Sequence, residues 1–258
     1  MHHFFVDPSA VGGSELCITG ADVNHIKNVL RLQAGEHITV SDTTGKEYTC
    51  AISRLTDAAV FAKIEDMQAE ASELSAELYL FQGYPKGDKL EMIIQKTVEL
   101  GVSKIIPVMT RRSIVRLDEK KAAKKQARYQ AICEAAAKQS KRGVIPEVLP
   151  VMDFGEALKL AATLDKILIP YEDEKGLINS KKVINEAISH KKIGIFIGPE
   201  GGFDAAEVEA VTALGAHPVT LGHRILRTET AGLAIMAVIM FELECRQENG
   251  EHKNGSIF

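Results

Sequence analysis

Two short stretches near the C-terminal end of the chain hold the residues best suited to chemistry. Ile197 to Phe203 reads IGPEGGF, and Leu221 to Ala231 reads LGHRILRTETA. In the first, Gly198, Gly201 and Gly202 let main-chain N–H and C=O groups approach a ligand without interference from a Cβ, while Pro199 fixes one φ angle and stiffens the loop. The product is a cradle made of backbone. Its spacing matches neither the GxGxxG dinucleotide fingerprint nor the GxxxxGK[ST] phosphate loop. An ordinary strand-to-helix turn, in turn, has no need of three glycines, a proline and a glutamate together. In the second stretch, Gly222 precedes His223, Arg224, Ile225, Leu226 and Arg227, with Thr228 as the predicted helix N-cap and Glu229 in the first turn. Two arginines beside a loop glycine and a helix N-terminus suit an anionic or polar ligand, and equally suit a charged loop that caps a helix.

The elements that must position these loops alternate between strand and helix from residue 76 onward. AELYLFQG (76–83), SKIIPVM (103–109), DKILIP (165–170) and KIGIFI (192–197) read as strands. Between and after them, helices are predicted over 87–100, 119–139, 180–189, 204–214 and 228–246. Leu90, Ile93, Ile94 and Val98 share one face of the first, which Gly101 terminates. Asp204 and Glu207 form a capping box, and the last helix offers Ala231, Ile235, Val238 and Leu243 for burial. Repeated βα units imply a parallel sheet with helices on both faces, and ligands in such sheets sit outside the carboxyl ends of the strands. The loops after Ile169, Ile197 and Leu221 are therefore the places to search, and Pro170 stiffens the first.

The first 70 residues follow a different pattern. HITVS (37–41), EYTCAIS (47–53) and 59–65 alternate as strands separated by DTTGK and LTDA, which predicts a small antiparallel barrel or sheet. The polar, aperiodic stretch 66–76 marks the boundary, dividing the chain into 1–70 and 71–250. His2 and His3 are expected to lie on a mobile terminus without a metal.

Composition narrows the class of protein. The N-terminus has no basic and apolar leader pattern, and the longest apolar run, Ala231 to Phe241, has 11 residues, too few to span a bilayer. Cys17, Cys50, Cys133 and Cys245 are widely spaced with no CxxC pair, which argues against a zinc site or disulfide framework and for reduced thiols in the cytoplasm. Net charge is −4, yet Lys86 to Arg142 contains fifteen Lys or Arg against six Asp or Glu. Such a basic segment in an acidic chain suits a phosphate-binding face, and also suits solvated helix faces.

Taken in order, these stretches resemble the SPOUT class of methyltransferases, and within it the small-subunit ribosomal RNA uracil-N3 methyltransferase family. NHIKNVLR (24–31), PKGDKLEMIIQKTVELGV (85–102), TRRSIV (110–115), RYQAICEAAAKQSKRGVIP (128–146), GPEGGF and LGHRILRTETA all look like that family's blocks. The resemblance implies an N-terminal PUA-like RNA-binding barrel, a C-terminal α/β domain with a trefoil knot, and a homodimer. It implies that S-adenosylmethionine lies between the loops after Ile169 and Ile197 and the Leu221–Leu226 loop, with Ile169, Ile197, Gly198, Glu200, Gly202, Leu221, Gly222, Ile225 and Leu226 around it. The family's first block has an arginine before the aromatic pair, where this chain has His3.

Methyl transfer from a sulfonium needs alignment rather than a covalent residue, and no metal. For uracil N3, a cationic donor offsets the charge left as the proton departs, and a carboxylate or water accepts that proton. Arg227 is assigned the first role, with Glu200 and Glu229 as candidate bases that could instead pair with loop amides and arginines. Lys86, Lys89, Arg111, Arg112 and Arg142 are candidates for RNA phosphate contacts, extended by His25 and Arg31. The partner would be small-subunit ribosomal RNA or a ribosomal particle. Two competing readings are a non-catalytic RNA-binding assembly factor, disfavoured by the glycine loop, and a methyltransferase for another RNA atom.

Overall fold

The structure, a computed structural model, describes residues 1–69, 72–114, 119–171 and 176–254. Val115, the last residue of the TRRSIV block, and the loop beyond Tyr171 lie outside the described residues. The described chain forms two compact units, Met1–Glu73 with Ala137–Ile145 and Leu74–Ala136 with Pro146–Phe258.

The first unit contains β1 (His2–Phe5), β2 (Val11–Gly12), β3 (Glu15–Thr19), a short helix α1 (Ala21–Asn24), β4 (His37–Ser41), β5 (Lys46–Leu55) and β6 (Ala59–Ala69). They make one six-stranded sheet in the order β1-β4-β5-β6-β3-β2. The three predicted strands are its centre, with antiparallel pairs β4–β5 and β5–β6. Three strands were invisible to periodicity because they are short and mixed in composition, and the sheet is not wholly antiparallel: β1 pairs parallel with β4. His3 is thus no part of a mobile terminus. It lies in that strand, buried, with Nε2 2.8 Å from the hydroxyl of Ser41. Phe4, Ile18, Ile38, Val40, Ile52 and Val60 fill the core.

The second unit contains β7 (Glu77–Gly83), α2 (Lys89–Glu99), β8 (Val102–Met109), α3 (Glu119–Gln139), β9 (Glu147–Val148), β10 (Met152–Asp153), α4 (Phe154–Ala161), β11 (Lys166–Pro170), α5 (Leu177–Ala187), β12 (Lys192–Ile197), α6 (Ala205–Ala213), β13 (His217–Val219) and α7 (Thr228–Asn254). The last three residues of α3 group with the first unit. The sheet runs β10-β8-β7-β12-β11-β13, every pair parallel, with β9 beside β8. Helix α4 and the two-residue and three-residue strands escaped the sequence reading. Phe81 and Phe196, on the neighbouring strands β7 and β12, stack at 4.3 Å between centroids. Ile106, Ala157, Ala161 and Ile169 join them in one core.

Leu90, Ile93, Ile94 and Val98 are all buried along α2, as their spacing predicts, and Gly101 ends the helix with φ +86°. The capping box of Asp204 and Glu207 is present at the start of α6. On α7, Ile235 and Leu243 are buried while Val238 is 45% exposed. No described helix is long and apolar enough to cross a membrane.

Candidate functional site

The strands β7, β12, β11 and β13 end together because their register is parallel: Ile197 lies opposite Gln82, and Pro170 opposite Val219. The glycine loop leaves the end of β12. Gly202 donates its amide to the carbonyl of Pro199 at 2.9 Å and adopts φ +68°, which closes a tight turn that an L side chain would strain. A Cβ on Gly198 would come to 3.0 Å from the Gly202 backbone, so any side chain there would press on the loop where it folds back on itself.

A further glycine carries a role that the sequence reading missed. At Gly83, the end of β7, a Cβ would fall 2.6 Å from Pro199 Cδ and N. The adjacent strand must therefore lack a side chain for the loop to lie down on it. A lone glycine after a strand carries no signal of this until its neighbour is known.

The second loop is tied to the first through one hydroxyl. Thr228 Oγ1 donates to the carbonyl of Gly198 at 2.6 Å and accepts from Gln82 Nε2 at 2.8 Å. This corrects the predicted cap. The amide of Ala231 donates to the carbonyl of Arg227, so Arg227 is the N-cap residue and Thr228 begins the helix, its hydroxyl turned to the neighbouring loop. Gln82 is fully buried, with its Oε1 unpartnered among the described residues.

Between the two loops lies a cavity of about 730 Å³. That is within the usual range for a small-molecule site. Ile197, Gly198, Glu200, Gly202, Leu221, Gly222, Ile225 and Leu226 all border it, together with Arg227, Lys89 and Arg112. Two predicted walls behave differently. Ile169 is buried in the sheet core beneath, because strand alternation turns it toward Phe196 and α4, and Pro170 and Tyr171 border the cavity in its place. Ile225 is 84% exposed and forms rim rather than wall.

The carboxylates also divide. Glu200 Oε1 accepts from the amide of Lys86 at 3.1 Å and from Lys89 Nζ at 2.8 Å. Partial burial opposes its ionisation, but the hydrogen bonds from Lys89, its own amide and the Lys86 amide outweigh this and hold its pKa below the usual glutamate value. Such a group is a poor proton acceptor at neutral pH. Glu229 is only 15% exposed, with Oε2 3.7 Å from Lys89 Nζ and without a hydrogen-bond partner among the described residues.

Of the basic candidates, Lys86, Arg111 and Arg112 are exposed, as are His25 and Arg31 in the first unit. Arg31 adopts φ +57°, and His25 sits edge-on to Phe4 at 6.4 Å. Arg142 contradicts its predicted role. It is 5% exposed and grips Glu73 with two nitrogens, Nε at 3.1 Å and Nη2 at 2.5 Å, so its charge is spent inside the first unit and no phosphate reaches it.

A parallel sheet whose strand ends open on a glycine-lined cavity is the general form of an α/β ligand-binding domain. A family model for an RNA methyltransferase domain matches residues 72–240, and a model for an RNA methyltransferase PUA domain matches residues 18–65. The chain belongs to this RNA methyltransferase family. Among its relatives is ribosomal RNA small subunit methyltransferase E of Bacillus subtilis (strain 168), 38% identical over 230 residues, covering 88% of this chain and 90% of the relative. The enzyme of the same name from Mesomycoplasma hyopneumoniae (strain 232) is 31% identical, with 92% of this chain and 97% of the relative covered. A crystal structure of ribosomal RNA small subunit methyltransferase E from Neisseria gonorrhoeae, bound to S-adenosyl methionine, superposes with a TM-score of 0.78 at 33% identity, covering 93% of this chain and 97% of that one. At the level of the family, the resemblance read from the sequence is borne out.

Proposed function

We propose that this protein methylates N3 of a uridine in small-subunit (16S) ribosomal RNA, using S-adenosylmethionine. The observation that carries the reading is the cavity between Gly198–Gly202 and Leu221–Arg227, bordered by Gly198, Gly201, Gly202 and Gly222 where the parallel strands end. Gly202 and Gly222, both of which border the cavity, have positive φ, a backbone conformation that L side chains rarely adopt. The residues present fit an adenosine-bearing cofactor, with glycine-rich loop backbone on one side and Ile197, Leu221 and Leu226 as apolar lining. When bound, that cofactor supplies an electrophilic methyl group on a sulfonium.

The chain's own residues do the remainder. Arg227, exposed at the cavity edge, stabilises the negative charge that spreads onto the uracil oxygens as N3 loses its proton. Glu229, which does not itself border the cavity and whose Oε2 is buried 3.7 Å from Lys89 Nζ, is the remaining acceptor for that proton, because Glu200 is engaged with Lys89 and the Lys86 amide. Lys86 and Arg111, with His25 and Arg31 from the first unit, contact RNA phosphates. Residues 1–70 serve as the PUA-like RNA-binding domain and 71–250 as the methyltransferase domain, acting in the cytoplasm where ribosomal RNA is available.

Two features of architecture belong to the same proposal. The chain after β13 is threaded as the family's trefoil knot, supported by the pinning of Thr228 against Gly198 and Gln82. The protein works as a homodimer, supported by Val238 and Phe241 of α7 and Leu177 and Ile178 of α5, apolar side chains left exposed at 45%, 62%, 47% and 77%.

The test is incubation of unmodified small subunits or 16S RNA with S-adenosylmethionine, followed by mass spectrometry of nucleosides. We expect 3-methyluridine, and a loss of at least about 100-fold in turnover for Arg227→Ala. A different methylated nucleoside would shift the target to another RNA atom. Absence of cofactor binding in calorimetry would make the protein a non-catalytic assembly factor, and full turnover by Arg227→Ala would remove that residue's role.

A further inference from the structure

We infer that Arg112 is a positioning residue for the glycine loop, fixing the Gly201–Gly202 peptide for cofactor binding instead of contacting RNA phosphate. This rests on the reading of the cavity as the S-adenosylmethionine site.

The turn that carries Arg112 follows β8 and is anchored on both sides. Ser113 returns its amide to the carbonyl of Thr110 at 3.1 Å, and the two hydroxyls meet at 3.0 Å. The amide of Arg111 donates to Glu207 Oε1 at 2.8 Å, while Glu207 Oε2 accepts from the amide of Asp204. Glu207 is 4% exposed. One buried carboxylate therefore joins the Arg111 backbone to the cap of α6, the helix that begins directly after the glycine loop.

From this fixed base Arg112 Nη1 donates to the carbonyl of Gly201 at 2.7 Å. The next amide, that of Gly202, donates to Pro199 at 2.9 Å. Both ends of the Gly201–Gly202 peptide are thereby satisfied, one by a charged donor and one by the turn itself. A peptide between two glycines flips more readily than any other, since neither flanking residue has a Cβ to oppose it. Without the guanidinium, the segment bordering the cavity would have to be ordered at the moment of binding, and affinity would fall by that cost. On the loop's other flank, Glu200 is held by the Lys86 amide and Lys89 Nζ, so consecutive residues are gripped by separate elements.

The roles predict different measurements. For wild type, Arg112→Ala and Arg112→Lys, calorimetry without RNA gives the dissociation constant of S-adenosylmethionine. Titration of 16S RNA at several salt concentrations, without cofactor, counts phosphate contacts. Arg112→Ala should raise the cofactor dissociation constant and KM about tenfold. The RNA KM and the salt slope should not change, and Arg112→Lys should recover part of the loss. An unchanged cofactor constant, with or without a salt slope reduced by about 0.7–0.9, would overturn the proposal. If the thermal midpoint shows Arg112→Ala poorly folded, Arg112→Lys decides, because it keeps the charge and stem: a cofactor constant raised with the RNA slope unchanged supports the clamp, and the reverse overturns it. Failure of the wild type to bind S-adenosylmethionine would overturn the cavity's assignment itself, and is seen before any variant is compared.

Discussion

The two loops that border the cavity are held by opposite means. The first, Gly198–Gly202, is gripped on all sides: by Thr228 at the Gly198 carbonyl, by Lys89 at Glu200 and by Arg112 at the Gly201 carbonyl, while Pro199 rests on Gly83. The second, Gly222–Arg227, is tied at its ends, through Thr220 to the Gly222 amide and carbonyl and through Thr228 to Gly198. Between those ends His223, Arg224 and Ile225 point outward. One loop is preorganised backbone, and the other presents side chains. A cofactor gains affinity from the first because its ordering has already been met in folding, whereas a mobile or bulky partner is better met by the second.

The comparison breaks first at Gly83. Gly83→Ala places a methyl group against the backbone of Pro199 and Gly198 rather than against a yielding side chain. We expect a loss of about 3 kcal/mol in urea unfolding and a collapse of cofactor affinity; near-native values for both would show that the first loop is not packed as tightly as its geometry indicates. Next in size is Thr228→Val, which keeps the shape but leaves the Gly198 carbonyl without its 2.6 Å donor. About 2 kcal/mol should be lost, and cofactor binding should weaken with it, because this hydroxyl is where the loops meet. A thermal midpoint equal to wild type would make the two loops independent. The smallest effect belongs to Ile225→Ser: with the side chain 84% exposed, stability should change by less than about 0.5 kcal/mol. If the homodimer proposal is right and Ile225 meets the partner, sedimentation would register a weaker dimer in that variant, while a large stability change in the monomer would mean that the second loop is packed after all.

Local features were legible in the chain wherever a single element decided them. The Leu90, Ile93, Ile94, Val98 face, the Asp204–Glu207 capping box and the glycine density after β12 depend on residues within a turn or two of each other. The strands β1, β2 and β3 were not legible, since two to five residues of mixed character leave no period to detect. Basic residues misled for a similar reason. Lys86 and Arg142 look equivalent in a charge count, yet one is exposed and the other is buried on Glu73, 69 positions away in sequence. Whether a charge is available depends on its partner, and partners across such distances have no local signature.

The glycine loop makes the same division within one site. That Gly198, Gly201 and Gly202 form a backbone cradle followed from residue type alone, since absence of a Cβ is a property of the amino acid and not of its surroundings. Pro199 announced some local stiffness, but what holds the cradle as a whole did not follow. Its rigidity comes from Gly83, Gln82, Arg112 and Thr228, brought to it by the parallel register of β7, β8 and β12 and by the return of the chain at α7. Hydrogen bonds and steric clearances between strands are set by which strands are neighbours, and neighbours are chosen only when the whole sheet assembles.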